Sequence, residues 1–326
     1  MKGFIKELRD KILNGYFINE EEALKIINID ESDEDTIEVL LQCANDIRKK
    51  FAGNKADLCS IMNGKSGRCS EDCKYCAQSV HYNTNVCEYG LINYEDVLER
   101  AKEVEAQGTH RFSLVTSGRG IESEEELDAL VNIYSRLKKD TNLKLCASHG
   151  IINYDQAVRL KEAGISMYHH NVETSESYYG EICTTHTYED RVNTIKDIQE
   201  AGIDLCCGGI LGLGEKREDR VSMAFEIRGL GVKSVPLNVL NPIKGTPLGG
   251  NPVLSPNEIL KTMALFRFVI PDAYIRYAGG RMALGDKQYK GFAGGVNAAL
   301  TGNYLTTVGS NVDNDKEMIT CSGLEI

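Results

Sequence analysis

Along the first fifty residues, apolar positions recur at helical spacing. Phe4, Ile5, Leu8 and Ile12 do so in "MKGFIKELRDKILNGYF", and after the acidic stretch "DESDEDT" Ile37, Leu40, Leu41, Ala44 and Ile47 do so again. Each set marks one face of an amphipathic helix. The spacing therefore predicts a helical extension over residues 1–55, with the acidic run as a solvated helix start. From about residue 56 the rhythm changes to short β-rich strings: "ADLCSIMN", "HRFSLVTSG", "LKLCASHG", "SMYHHNVET", "DLCCGGILGLG", "SVPLNVLNP", "AYIRYAGGR" and "NAALTGNYL". Between them lie segments such as "INYEDVLERAKEVEAQG", "NYDQAVRLKEAG" and "TYEDRVNTIKDIQEAG", apolar at i, i+3 and i+4 and closed by the glycine that commonly stops a helix. Eight β-α units predict an α/β protein built as a closed parallel (β/α)8 TIM barrel over residues 56–310, with 311–326 left as a tail. No Pro/Ser-rich linker divides the barrel region.

Composition narrows the setting. At 326 residues the chain suits one large barrel, and its 42% hydrophobic and 26% charged residues are ordinary for a globular protein. No apolar run approaches the roughly 20 residues needed to span a bilayer, and the N-terminus lacks the apolar block of a signal peptide. A net charge of -11 with scattered Lys and Arg argues against nucleic acid or an anionic membrane as partner. Eleven cysteines are odd in number and too dilute for a disulfide scaffold, which predicts a reducing, cytoplasmic setting. There a single Cys is usually a small buried apolar residue, and Cys43, Cys59, Cys87 and Cys321 are read in that way.

"CSEDCKYC" stands apart, because Cys69, Cys73 and Cys76 follow the first string on one loop and barrel chemistry gathers in such loops. Three thiolates can hold three irons of a 4Fe-4S cubane and leave the fourth iron open to a ligand, whereas an electron-transfer cubane takes four. The C-x3-C-x2-C spacing resembles the signature of radical S-adenosylmethionine (SAM) enzymes, in which the open iron chelates SAM and its reduction yields a 5'-deoxyadenosyl radical. In that resemblance Tyr75 is the aromatic beside the adenine. The alternative is a zinc site completed by His81 or Cys87.

Further along, "MYHHNVETS" offers His169, Asn171 and Glu173 on alternate positions, which on a strand would line one side of a cavity. Asn238 lies within "SVPLNVLNP" and Arg276 within "YIRYAGGR", and an inward Arg is costly to bury unless it meets an anion, a carboxylate or a cluster.

Together with "CSEDCKYCAQS", "THTYEDRVNTI", "GGILGLGE", "SVPLNVLNPIKGTPL" and "NYLTT", these strings resemble the biotin synthase family over nearly the whole chain. The resemblance implies a homodimeric barrel enzyme that inserts sulfur between C6 and C9 of dethiobiotin, drawing electrons from a reduced flavodoxin or ferredoxin. It implies that Cys69, Cys73 and Cys76 hold the SAM cluster and that Arg191 pairs with the methionyl carboxylate. Asn171 and Glu173 match contacts to the ureido group and the SAM ribose, and Asn238 matches a second ureido contact. None of these residues acts as a general acid or base.

The family's well-known members hold an auxiliary 2Fe-2S cluster on three strand cysteines and an arginine. This chain matches with Cys146, Cys206 and Arg276 but has Ser113 in place of the first cysteine. Serine is a poor iron ligand, so the expectation is an auxiliary cluster, 2Fe-2S or larger, with a different ligand set. Cys183 and Cys207 are added as candidate ligands, against the alternative that they only pack. His169 stands where the family usually has an asparagine at the ureido ring, and as a donor and acceptor it is expected to bind substrate. The competing readings are another radical SAM barrel, similar to a hydrogenase maturase or a methylornithine-synthase-like mutase, and a non-catalytic iron-sulfur or zinc protein.

Overall fold

A computed structural model describes residues 1–302 and 310–326. The segment "NYLTT" and the end of the eighth string lie outside the described residues. Among the described residues, nine parallel strands are found: β1 Asp57–Lys65, β2 Arg111–Thr116, β3 Lys144–Ser148, β4 Ile165–His169, β5 Asp204–Cys206, β6 Gly209–Leu211, β7 Ser234–Val239, β8 Tyr274–Tyr277 and β9 Ala298–Thr301. They run in the order β5-β4-β3-β2-β1-β9-β8-β7-β6. The ring closes because β5 also pairs with β7, through Cys206 and Ser234. The fifth string is thus one barrel position broken into β5 and β6 around Cys207 and Gly208, and the barrel is an eight-stranded closed one. A Cβ on Gly208 would lie 1.9 Å from the Pro236 carbonyl oxygen, so the break needs glycine there.

Strand alternation sorts the side chains. Leu58, Phe112, Leu114, Leu145, Tyr168, Leu205, Val235 and Ile275 face outward into the apolar layer beneath the helices. The other set faces the barrel interior, where parallel register sets Cys59 beside Arg111, Ser113 beside Cys146, His169 beside Cys206, and Pro236 beside Arg276. A slip of one residue on any strand would exchange the two sets, and burying one Leu or Phe is worth about 1.5–3 kcal/mol, so the apolar layer fixes which groups look inward.

The helices of the barrel follow the predicted segments: α4 Tyr94–Ala106, α5 Glu124–Asp140, α6 Tyr154–Glu162, α7 Glu176–Ile182, α8 Tyr188–Glu200, α9 Arg217–Gly229, α10 Pro256–Val269 and α11 Gln288–Ala293. Three earlier helices, α1 Lys2–Leu13, α2 Glu20–Ile27 and α3 Glu34–Phe51, make up the extension, with α1 on α3 and both α2 and α3 on α10. Residues 311–326 are more than a tail. They hold α12, Val312–Cys321, pinned by a fully buried ion pair of 2.6 Å between Arg281 and Asp315. Beyond it the Glu325 carbonyl accepts a hydrogen bond of 2.6 Å from the Ala56 amide at the start of β1.

One buried group ties the fold to pH. His149, 1% exposed beyond the end of β3, is hydrogen-bonded to Thr116 Oγ1 at 2.9 Å and Tyr134 Oη at 2.8 Å. Burial, with the Lys65 charge adding to it, pushes its pKa down from 6.5 to about 3. The unfolded chain therefore binds the proton better. The contribution of neutral His149 is present above pH 6.5 and is lost as pH falls toward 3, at about 1.4 kcal/mol per unit. Urea unfolding of the reduced apoprotein is expected to show less stability from this group at pH 5 than at pH 6.5, on the order of 1–2 kcal/mol, and a flatter pH dependence in His149→Gln. Equal slopes in the two proteins would assign the acid sensitivity elsewhere.

Candidate active site

Loop 66–82 leaves β1 at the C-terminal mouth of the barrel and folds back on itself. The amide of Cys69 donates to the Gln78 carbonyl, that of Val80 to Cys69 and that of Cys76 to Cys73, each at 2.9 Å. Arg68 takes a left-handed backbone, φ 53°, to enter the turn. Cys69 and Cys73 are buried and Cys76 is half-buried. The segment between α7 and α8 braces the loop. Asp72 accepts the amides of Thr184 at 2.8 Å and Thr185 at 3.2 Å. Glu71 Oε2 meets Thr185 Oγ1 at 2.7 Å and His186 Nδ1 at 2.6 Å. Burial acts to raise the Asp72 carboxyl, and the hydrogen bonds from Thr184, Cys183 and Thr185 outweigh it and hold it below the usual range. Neither Glu71, Asp72 nor His186 was singled out from the sequence, although all three lie inside strings matched there.

Cys183 requires a correction. It does not reach Cys146 or Cys206. It caps the end of α7 at the mouth, with Sγ 3.7 Å from Cys73 Sγ and 3.2 Å from His186 Nδ1. Cys207 also parts from Cys206, because consecutive residues alternate: its side chain joins the outer apolar layer while Cys206 packs inside with Cys146 and Met167. Of the residues proposed to complete a zinc site, His81 is engaged with the Ser70 carbonyl at 2.9 Å and Cys87 is exposed, and neither gathers with the loop thiols. Cys321 is exposed as well, so for Cys87 and Cys321 the expected burial does not occur.

The fourth string also departs from expectation. β4 ends at His169, so Asn171 and Glu173 stand on the loop beyond it, and Glu173 has φ 68°, a strained region for a residue with a side chain. The strain is held by backbone pairing, since the Ile210 amide donates to the Glu173 carbonyl at 2.8 Å and Glu173 donates to Gly208 at 3.2 Å. The result aims Asn171 and Glu173 into the mouth. Asn171 Nδ2 donates to Glu173 Oε2 at 3.3 Å and its Oδ1 accepts from the Gly208 amide at 3.1 Å. Arg191, from α8, donates through Nε to Tyr179 Oη at 2.6 Å, through Nη1 to the Asn171 carbonyl at 3.2 Å, and lies 3.8 Å from Glu173. Its side chain is half-buried, 12% exposed, and these partners hold it against the loop that carries Asn171 and Glu173. Tyr75 lies against Glu173, whose carboxyl burial pushes up while Arg191 opposes. Asn238, on β7, is held at both ends of its amide: Nδ2 donates to the Gly209 carbonyl at 3.2 Å and Oδ1 accepts from Gly279 at 2.9 Å.

Deeper in the barrel a second group forms. The ligand atoms of Cys59, Cys146 and His169 all lie within 4.8 Å of one another. His169, expected at the substrate, lies against the Cys146 and Cys206 thiols. Burial acts to lower its pKa, but those thiols outweigh it and push it up to about 10. Cys206 Sγ is 3.2 Å from Ser234 Oγ. Arg276 is fully inside but turns to Asp57, pairing with its carboxylate through Nη2 and with the Asp57 and Ala299 carbonyls through Nη1 at 3.1 and 3.2 Å. Among the described residues, Ser113 Oγ, His169 Nε2 and Arg276 Nε of this interior are buried without a hydrogen-bond partner. Native interiors rarely leave such atoms orphaned. With thiols and an imidazole converging on them, the donor set suits an iron-sulfur cluster. Cys59, which the sequence suggests only as a buried packing residue, is one of these thiols.

Comparison with known proteins agrees with this architecture. The model of the Radical SAM superfamily matches residues 65–227 and that of the Biotin and Thiamin Synthesis associated domain matches residues 236–325. Among solved structures, methylornithine synthase superposes with a TM-score of 0.85 at 20% identity, covering 98% of this chain and 96% of that one. The [FeFe]-hydrogenase maturase HydG from Carboxydothermus hydrogenoformans superposes with a TM-score of 0.80 at 19% identity over 98% of this chain and 78% of that one. At such identities these matches speak for the shared fold alone. Sequence relatives are nearer: the biotin synthase of Clostridioides difficile is 56% identical over 100% of both chains, and that of Acetivibrio thermocellus is 57% identical over 99% of both. With more than half of its residues shared along its entire length, and a cysteine loop at the barrel mouth above an inner set of thiols, the chain belongs to the biotin synthase family.

Proposed function

We infer that this chain converts dethiobiotin to biotin by inserting one sulfur atom between C6 and C9. The observation that carries the reading is the presence of two thiol groups at two depths of one barrel. Cys69, Cys73 and Cys76 lie on the loop after β1 and Cys146 and Cys206 lie within the barrel, with Asn171 and Glu173 on the loop beyond β4 and Asn238 on β7. Cys69, Cys73 and Cys76 would hold a 4Fe-4S cluster, which together with SAM supplies hydrogen-atom abstraction when bound. The inner set would hold the auxiliary iron-sulfur cluster that supplies the sulfur.

What the polypeptide contributes is placement. Arg191, fixed by Tyr179 and the Asn171 carbonyl, keeps its guanidinium pointed at the mouth, where it would take the methionyl carboxylate in a charge-assisted contact. Asn171 and Asn238 have their amides oriented by backbone partners, so the remaining N–H and lone pairs face the barrel without rotational freedom to lose. A cyclic urea, with N–H donors and a carbonyl acceptor, is a matching ligand. None of these residues moves a proton; their work is to hold C9 and C6 of the substrate in place while the cofactors supply the chemistry. A homodimer in the cytoplasm, reduced by flavodoxin or ferredoxin, belongs to the same reading. No helix among the described residues is long and apolar enough to cross a membrane.

Anaerobic reconstitution with iron and sulfide, followed by SAM, a reductant and dethiobiotin, is expected to give both 5'-deoxyadenosine and biotin. 5'-Deoxyadenosine without biotin would point to a different substrate, and neither product would favour a non-catalytic metalloprotein. Asn238→Ala is expected to weaken dethiobiotin binding by about 1–3 kcal/mol, the cost of leaving buried polar groups unpaired, while SAM affinity changes little. Titration calorimetry with each ligand checks it. An equal loss for both would mean that Asn238 only ties β6 to the Gly279 turn.

A further inference from the structure

We propose that Cys59 and His169 are ligands of the auxiliary iron-sulfur cluster, so that it is held by three thiolates and one imidazole, from Cys59, Cys146, Cys206 and His169, with Arg276 outside the ligand set. The assignment rests on the functional reading above only in taking the inner site to hold such a cluster.

The geometry begins with Ser113. Its hydroxyl faces the barrel interior beside Cys146 and has no hydrogen-bond partner among the described residues, so the serine that stands in place of a cysteine on β2 offers no compensating interaction there. The thiol reappears on the neighbouring strand. β1 is hydrogen-bonded to β2 with Ile61 opposite Ser113 and Cys59 opposite Arg111, which puts Cys59 on the same inward face, one inward position nearer the N-terminal end. Strand rise makes that offset about 6.6 Å along the chain direction, across a strand spacing of about 4.8 Å. From there the Cys59 thiol lies within 4.8 Å of both the Cys146 thiol and a His169 ring nitrogen.

His169 closes the ring on the other side. It is the register partner of Cys206 across β4 and β5, and its Nε2 is buried with no hydrogen-bond partner. An imidazole nitrogen enclosed by thiols in this manner has few uses other than coordination. Four donors thus come from four strands, β1, β3, β4 and β5, all facing inward. Arg276 would have to abandon Asp57 and two backbone carbonyls to reach a metal. Breaking a buried pair is costly, and its more economical place is as a fixed positive charge beside an anionic cluster.

The test is spectroscopic and needs no turnover. Protein labelled with 15N-histidine and reconstituted anaerobically is examined by Mössbauer spectroscopy for iron content and by pulsed EPR for nitrogen coupling. The wild type should contain auxiliary iron in addition to the mouth cubane, and its reduced auxiliary signal should carry a coupling that changes with the histidine isotope. Cys59→Ser, nearly isosteric, should lose most of the auxiliary iron while the cubane signal remains. Adding Ser113→Cys in that background should restore iron to the inner site. His169→Gln should abolish the nitrogen coupling. Full auxiliary iron with an unchanged spectrum in Cys59→Ser would overturn the role of Cys59, and a wild-type signal without histidine coupling would overturn that of His169. Because these readouts precede substrate, an enzyme that fails to make biotin but shows them leaves the ligand set standing. An enzyme that makes biotin without them sinks it alone.

Discussion

Cys69→Ala, Cys73→Ala and Cys76→Ala are each expected to abolish 5'-deoxyadenosine formation while the barrel stays folded. A cubane held by two thiolates on a loop would have lost a third of its protein anchors, and with them the open iron at the mouth that would bind SAM. The expected fall is at least about 1,000-fold, equivalent to about 4 kcal/mol of barrel-held reactivity. The fold should survive because these residues are outside the strands and helices, in a loop fastened by its own backbone bonds and by Asp72 and Glu71. Each loses only a thiol, and small truncations of this kind cost on the order of 1 kcal/mol. Single-turnover assays with SAM and dithionite, alongside far-UV circular dichroism, separate the two effects. A variant that still releases 5'-deoxyadenosine would remove that cysteine from the cluster.

Cys146→Ala and Cys206→Ala should have an equally large effect on a different product. Both thiols are fully buried inside the barrel, and they pack with Met167 in a group separate from the main apolar layer and from the loop cysteines. Cleavage of SAM should therefore continue, and biotin should fall below detection because the sulfur to be inserted has no holder. The product ratio of biotin to 5'-deoxyadenosine is the quantity to follow, and it should fall toward zero in both variants. If either variant makes biotin at a wild-type ratio, the inner thiols are packing residues and the sulfur comes from elsewhere.

Much of this was legible in the chain as written, for reasons that lie in local geometry. A helix face repeats every 3.6 residues and a strand every two, so α4, α6 and α8 and the eight barrel positions could be located from apolar spacing. The C-x3-C-x2-C loop was equally visible, since three ligands on eight consecutive residues need no tertiary contact to be recognised as a set. Placement beyond the strand was harder. Alternation suggested that His169, Asn171 and Glu173 share one strand face, whereas β4 stops at His169 and a left-handed Glu173 re-aims the rest, a backbone feature imposed by pairing to Gly208 and Gly209.

The class of fold, the loop that carries the mouth thiols and the serine at position 113 can all be read from the order of residues alone. Only the tertiary structure decided how the remaining cysteines divide. Cys183 went to Cys73, Cys207 to the outer apolar layer, and Cys59 to the interior beside Cys146 and His169. Those three differ in nothing a local window can see. Which face of a strand a thiol occupies is set by the sum of apolar burial along that strand, and which thiol it meets is set by the register of β1 against β2 and by closure of the barrel, where residues 87 positions apart come within reach of a single cluster.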